Sequence, residues 1–310
     1  MVHLRVIAPP PLAEPAYRVV RDHPSTLNVV RQHAAAEQPD GDLILCDVAT
    51  YDASLVVADL RALGLEHDGS IVLEPVSSLV SDAARRAEEA AVGSPADAVV
   101  WETVEFQTSE SAELSRSFLT FMVLATMIAA LGIIQDSQIL IIGAMVVGPE
   151  FGPLAGLCVA LVQRQRGLAR RSLKALAVGF PVGIAAALAL TLVLRAADSA
   201  PDRLSPVARP ATLFISHPDE YTVLIALLAG AAGALSLSTA KSGALVGVLI
   251  SVTTIPAAAN VGVASAYGEW NEAGGAAGQL GLNLLCIVTA VVATLSLQRW
   301  FIGTTRRGGS

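Results

Sequence analysis

The stretch GAMVVGPEFGP, residues 143–153, sets Gly148–Pro149 and Gly152–Pro153 on either side of Glu150 inside an otherwise apolar run. Proline has no N–H, clashes with the carbonyl four residues earlier, and pushes the residue before it out of helical geometry. A helix is therefore predicted to break here and release backbone carbonyls. Glu150 adds an ionisable oxygen at the same depth. Freed carbonyls beside a carboxyl suit the binding of a proton or a small cation. A second stretch, SVTTIPAAAN at 251–260, carries Thr253, Thr254, Pro256 and Asn260, and Asn283 adds a further amide. These neutral oxygen and amide groups suit a weakly held cation or polar solute. The expected binding set is thus Gly148, Pro149, Glu150, Gly152, Pro153, Thr253, Thr254, Pro256, Asn260 and Asn283. The plainer alternative makes Glu150 a hydrogen-bonded tie between helices.

No other chemistry is legible. His3, His23, His33, His67 and His217 are isolated, and the sequence has no HExxH, GxxxxGK[ST] or GxSxG motif. Cys46, Cys158 and Cys286 are scattered, without a CxxC pair. Neither an enzyme activity, a metal site nor a cofactor is expected.

The elements that must position Glu150 are set by hydropathy. Hydrophobic residues make up 53% of the 310, charged residues 15%, and the mean hydropathy is +0.59. From Phe118 onward six apolar runs follow, each near the ~20 residues that carry a helix across ~30 Å of hydrocarbon. They are placed at 117–134, 138–162, 172–195, 221–239, 242–266 and 279–302. Glu150 is the only acid within them, roughly 18 Å along its helix at ~1.5 Å per residue. An acid at that depth costs on the order of 2.5–3.5 kcal/mol, so it is expected to face the interior and serve a function.

Placing Pro153 on Pro256 aligns the two halves, each with three spans and a proline in the middle one. Three is odd, so the halves enter the membrane from opposite sides. The fold predicted is a polytopic α-helical membrane domain at 117–303. Its six spans form two inverted three-helix repeats with broken second and fifth spans, an arrangement that points to a transport site near the midplane.

Upstream, HLRVIA (3–8), TLNVVRQHAA (26–35), DLILCDVA (42–49) and SIVLEPV (70–76) read as strands. LAEPAYRVVRD (12–22) and ASLVVADLRALGL (53–65) read as helices, and EQPDG as a turn. The order βαββαβ is ferredoxin-like, so residues 1–80 are assigned to an α+β domain of that kind. Residues 81–116 form a helical linker with a charged helix at 81–93, and Ser109 is the expected start of the helix entering the membrane. Residues 304–310 are a tail.

Residues 1–116 hold 19 acids against 8 Lys and Arg, leaving 8 against 12 for the rest. Nothing resembles a nucleic-acid patch. The N-terminal residues lack an apolar core of signal-peptide length. The short loop QRQRGLARRSLK carries Arg164, Arg166, Arg170, Arg171 and Lys174 and is expected to be cytoplasmic. Counting outward, the ferredoxin-like domain, Lys241 and the C-terminal tail lie inside, and GEWNEAGG (268–275) and the Pro-rich 197–210 lie outside. The expected location is the plasma membrane, multi-pass, with both termini cytoplasmic. Small residues four apart (Ala226/Gly230, Ala229/Gly233, Gly243/Gly247, Gly274/Gly278) permit close helix packing or a homo-oligomer.

The chain resembles a family of uncharacterised hydrophobic membrane proteins, domain-of-unknown-function family 389. The likeness covers about 115–265 and rests on IIGAMVVGPEFGP, the basic loop after it, LIALLAGAAGA, and the proline-containing fifth span. It implies a membrane fold and little biochemistry. Two functions are expected of such a chain. The first is a secondary transporter or channel-like permease for a small polar solute or ion, with a regulatory or oligomerising cytoplasmic domain. The second is a non-transporting membrane sensor or scaffold whose cytoplasmic domain binds a ligand or partner. The charge pattern makes a direct prediction. A cysteine introduced within 268–275 should be labelled by an impermeant reagent on intact cells, and one within 164–171 should not. The opposite pattern overturns the orientation.

Overall fold

The computed structural model describes residues 1–76, 79–90, 104, 108–110, 112–204, 209, 210, 212, 215, 220–238 and 243–305. The chain divides into two compact units, Met1–Val104 and Glu105–Ser310.

The first unit holds β1 (Val2–Ala8), α1 (Pro10–Asp22), β2 (Thr26–Glu37), β3 (Asp40–Val48), α2 (Ala53–Ala62), a short α3 (Leu65–Asp68), β4 (Ser70–Pro75) and α4 (Asp82–Ala90). The four strands form one antiparallel sheet in the order β2-β3-β1-β4. In β1, alternation turns Val2, Leu4, Val6 and Ala8 to one face. Register places Leu4 beside Cys46 and Leu73, and Val6 beside Ile44 and Ile71, so this face is continuous across three strands. Ala13, Ala16 and Val20 of α1 and Val56, Val57 and Leu60 of α2 complete the core. Cys46 lies within it, and burial pushes its thiol up to about 12, leaving it unreactive.

α1 begins earlier than the sequence predicts. Proline's fixed φ suits a first turn that needs no N–H, and the helix also accommodates Pro15. β2 runs longer than predicted because two irregularities let it continue. The register shifts between Leu27 and Val30 and again between Gln32 and Ala36, with Asn28 at φ 52° and Ala34 at φ 47°. A left-handed alanine costs about 1–2 kcal/mol. Asp42 holds it there: Oδ1 accepts from the Ala34 N–H at 2.9 Å, while Oδ2 accepts from Arg31 Nε at 2.8 Å and lies 3.0 Å from His33 Nδ1. Arg31 also donates to Glu14 at 2.6 Å and lies over the Tyr17 ring. In α4, Ala84 and Ala87 are buried, and Glu88 pairs with the Met1 ammonium at 2.9 Å. Residues 91–93 of the predicted charged helix lie outside the described residues.

The second unit is helical: α5 (Arg116–Ile134), α6 (Gln138–Val147), α7 (Phe151–Gln163), α8 (Arg166–Ala196), α9 (Glu220–Ser238), α10 (Gly243–Tyr267) and α11 (Trp270–Thr305). Ser115 caps α5 by accepting from the Phe118 N–H at 3.0 Å. The predicted start, Ser109, is instead tied to Arg171 at 3.2 Å. The capping serine is the one immediately before the apolar run. Hydrogen bonds gather the turns at two ends. Thr212–Asp136, Arg195–Ala266 and Arg209–Glu272 join one, here the Arg209 end. Arg171–Ser109 and Arg299–Val162 join the other, the Arg171 end. Helices cross closely at glycine. A Cβ on Gly262 of α10 would stand 2.6 Å from the Ile184 carbonyl oxygen of α8, and one on Gly183 would stand 2.7 Å from Thr126 of α5.

Among the described residues three helices are long and apolar enough to cross a membrane: α5, α8 and α11 over Trp270–Trp300. The pair α6–α7 is apolar and long enough only when taken together, bent by 54° at its break as a broken span or a re-entrant loop, and α9 is a shorter apolar helix. One expectation is corrected. The fifth apolar run is not broken, since α10 continues from Gly243 to Tyr267 with Pro256 inside it. A lone proline removes one N–H···O bond and is absorbed as a local distortion. The second run meets two Gly-Pro pairs four residues apart, and Gly148, at φ −59° and ψ 125°, leaves helical geometry there.

Asp42 sets a test for the first unit. The Ala34 N–H holds its carboxyl below the usual range, aided by Arg31 and His33 and opposed by burial. A depressed folded-state pKa gives stability that is present above the unfolded value of about 3.9 and is lost as pH falls through the folded one. Residues 1–104 should therefore show a urea midpoint that drops in acid. Asp42→Asn should lower the neutral-pH midpoint and flatten that acid arm. An Asn variant with an unchanged profile would show that Asp42 does not hold the bulge.

Candidate functional site

The site forms where the second apolar run opens. Pro149 forces Gly148 into extended geometry, ending α6, and Glu150 returns to helical angles as the first residue before α7. The Glu150 carbonyl accepts the first α7 bond from the Leu154 N–H at 3.1 Å. Pro153 sits in that first turn, where a missing N–H breaks no helical bond. The glycine–proline pairs thus divide the work: one stops a helix and the other starts the next.

The Glu150 side chain does not fold back to cap α7. It is fully buried, and Oε1 accepts from Thr254 Oγ1 at 2.8 Å. Thr254 is itself fully buried on α10. One buried hydrogen bond therefore joins the bent pair α6–α7 to α10, 104 residues away in sequence. Two features of the break act on this carboxyl. The α7 N-terminus brings the positive end of a helix dipole to it, and the last carbonyls of α6 finish at the same place. The arrangement can hold a proton or a small cation between a carboxyl, a hydroxyl and helix-end carbonyls.

The other predicted residues divide. Gly148, Pro149, Gly152 and Pro153 surround the carboxyl along the chain. Pro256 lies in the interior of α10, two residues beyond Thr254. The Thr253 side chain lies outside the described residues. Asn260 is buried elsewhere, where its Nδ2 donates to Glu272 Oε1 at 3.2 Å. Asn283 is fully buried on α11. Among the described residues no group of three or more His, Cys, Asp or Glu is placed to hold a metal ion.

Sequence reading missed Arg209 and Glu272. Arg209 Nη2 donates to both Glu272 carboxylate oxygens at 3.1 Å, and the two side chains are only 4% and 13% exposed. Both residues fell in stretches read as hydrated loops. The signal available was the helical spacing of Glu272, Ala276, Gln279 and Asn283, which shows that the last helix begins well before residue 279.

Several apolar helices of membrane-crossing length mark the chain as a membrane-embedded protein. Comparison with known proteins adds its family likeness. Residues 145–289 match the family described as Domain of unknown function (DUF389), which establishes the resemblance over the break, the basic loop and α8 to α10. An uncharacterized protein, MJ0678, of Methanocaldococcus jannaschii is 27% identical over 198 residues, 62% of this chain and 59% of that relative. The chain thus spans less than two thirds of this relative's length. No solved structure matches.

If the Glu150–Thr254 bond ties the bundle together, Thr254→Val should lower its stability in detergent by about 0.5–2 kcal/mol. Thr254→Ser should retain most of it. Thermal unfolding followed by circular dichroism reads the difference, and equal midpoints for Val and Ser would mean the bond carries no stability.

Proposed function

We propose that the chain is a secondary transporter or channel-like permease for a small polar solute or ion, with its binding site at the α6–α7 break. The observation that carries this reading is the fully buried Glu150 carboxyl, held by Thr254 where a helix opens. Buried acids in membrane helices are costly and generally mark solute, ion or proton pathways. Backbone that leaves helical geometry at membrane depth is tolerated where protein or a water-filled cavity surrounds it. The site combines one broken span with an unbroken helix.

The same proposal makes six spans of α5, α6–α7, α8, α9, α10 and α11, related as inverted three-helix halves. Support comes from the two sets of end-to-end hydrogen bonds, which fit a chain reversing direction at every turn. On this reading the chain lies in the plasma membrane with both termini cytoplasmic; the basic residues before and within α8 support an orientation with the Arg171 end inside. The first unit, whose strand order is that of a ferredoxin-like fold, serves as the cytoplasmic regulatory or oligomerising module. Of the four small-residue pairs, Gly230 packs against Ile287 and Ala290 of α11, whereas added Cβ atoms at Gly274 and Gly278 would meet open space. That exposed α11 face is open to a second copy.

The test uses purified protein in liposomes, with flux of protons, sodium and rubidium ions followed under imposed gradients. Glu150→Gln preserves shape and hydrogen bonding but removes titration. It should insert and assemble normally, while flux stops or loses its pH dependence. Glu150→Leu should destabilise the bundle. A Gln variant with unchanged flux and pH profile would reduce Glu150 to a structural tie, and wild-type liposomes no leakier than empty ones would favour the sensor or scaffold reading.

A further inference from the structure

α11 carries a polar stripe on its buried side. Glu272, Ala276, Gln279, Asn283 and Ile287 follow at intervals of three or four residues, which puts them on one face. Ala276, Asn283 and Ile287 are fully buried, and Gln279 is 4% exposed. From Glu272 to Asn283 the stripe covers roughly 16 Å at ~1.5 Å per residue. Its inner end lies at a telling depth. Asn283 is 13 residues from Trp270, at the start of α11 (283 − 270), and Thr254 is 13 residues from Tyr267, at the end of α10 (267 − 254). The two helices are joined by a turn at Gly268. Both residues therefore lie about 20 Å from the Arg209 end, level with Glu150, which is 12 residues from the start of α6 (150 − 138).

The outer end of the stripe is closed by a charge. Arg209 reaches it from outside the helices and donates to both oxygens of Glu272, while Asn260 of α10 donates to one of them. Two buried polar atoms here have no hydrogen-bond partner among the described residues, Arg209 Nε and Asn260 Oδ1. Arg209 is 4% exposed and Asn260 1%. A guanidinium whose Nε finds no partner among the described residues, beside an amide oxygen in the same position, is an incompletely satisfied ion pair. Such a pair lacks the full set of hydrogen bonds that would offset its desolvation.

We propose that the Glu272–Gln279–Asn283 face is the route between the Arg209 end and the Glu150–Thr254 site, and that its mouth is a cation site. Glu272 and the Asn260 amide oxygen are its ligands, and Arg209 occupies it as a tethered cation. The inference rests on the permease reading and specifies its substrate class. Removing Arg209 from the mouth leaves carboxylates at both ends of the route, Glu272 and Glu150, with amide and hydroxyl groups between them. That lining admits small monovalent cations and rejects anions.

The test reads access rather than flux. In full-length purified protein with Cys46, Cys158 and Cys286 replaced by serine, Gln279→Cys reports on the route. Its modification by cationic 2-aminoethyl methanethiosulfonate is compared with that by the anionic sulfonatoethyl reagent, each normalised to a free thiol. Labelling should be slow with Arg209 present and slow with Arg209→Lys. With Arg209→Gln it should become several-fold faster and favour the cationic reagent. Adding Glu272→Gln should abolish that preference. Equal rates with and without Arg209, or no preference for the cation, overturn the proposal. So does equal labelling of Ala125→Cys, buried in α5, because Arg209 would then only hold the bundle together. Should Arg209→Gln not fold, Glu272→Gln with Arg209 intact also unties the plug. Labelling should then quicken without charge preference, and an unchanged rate overturns the idea. Because labelling needs no transport, a failed flux assay and a failed route remain distinguishable.

Discussion

A helix opened in an apolar medium must find new partners for the groups it releases, since each group left bare costs several kcal/mol. The second unit opens a helix between Gly148 and Glu150, and much of its architecture follows from containing that opening. Buried Leu154, Ala155 and Gly156 turn the start of α7 inward. Thr254 meets the carboxyl from α10. α10 itself is seated against α8 at Gly262, where no side chain separates the two backbones. A threonine hydroxyl reaches only a short distance, so the hydrogen bond depends on backbones packed this closely.

The sequence announced the elements better than it announced their contacts. Hydropathy located the helices of the second unit because burying or exposing a run to lipid is a property of the run itself. Alternation located the strands of the first unit for the same reason. The Gly148–Pro149 break was legible because pre-proline geometry is local. Pro256 looked equivalent and was not. Whether one proline ends a helix depends on its neighbours, and Ile255, Ala257 and Ala258 are packed away fully enough to keep the helix continuous. The pairing of Glu150 with Thr254 was approached through the alignment of the two halves. The Arg209–Glu272 pair was not, because a charged residue near a turn is read as hydrated until tertiary packing shows otherwise. The left-handed Ala34 was invisible too, since its cause is Asp42 on the next strand.

The two polar levels of the second unit differ in kind. At the Glu150 level a fully buried carboxyl accepts a hydrogen bond from the Thr254 hydroxyl on a neighbouring helix. At the Arg209 level the carboxylate of Glu272 already has a cation. The Arg209–Glu272 ion pair thus sits beside the turn into α11, and the Glu150–Thr254 hydrogen bond midway along α10.

The length of α8 has a consequence for the lipid itself. At ~1.5 Å per residue its 31 residues extend about 46 Å, well beyond the ~30 Å of a hydrocarbon core. The excess falls naturally at its first turns, which carry Arg166, Arg170, Arg171 and Lys174. There the helix passes through the headgroup layer as a short basic rod, and each cation near an anionic surface contributes on the order of 1 kcal/mol of attraction. The depth at which the bundle sits, and with it the level of the break, then becomes a property shared with headgroup composition and ionic strength. A bilayer rich in acidic phospholipid would pin α8 by its base, while a neutral one would leave it freer to slide and tilt.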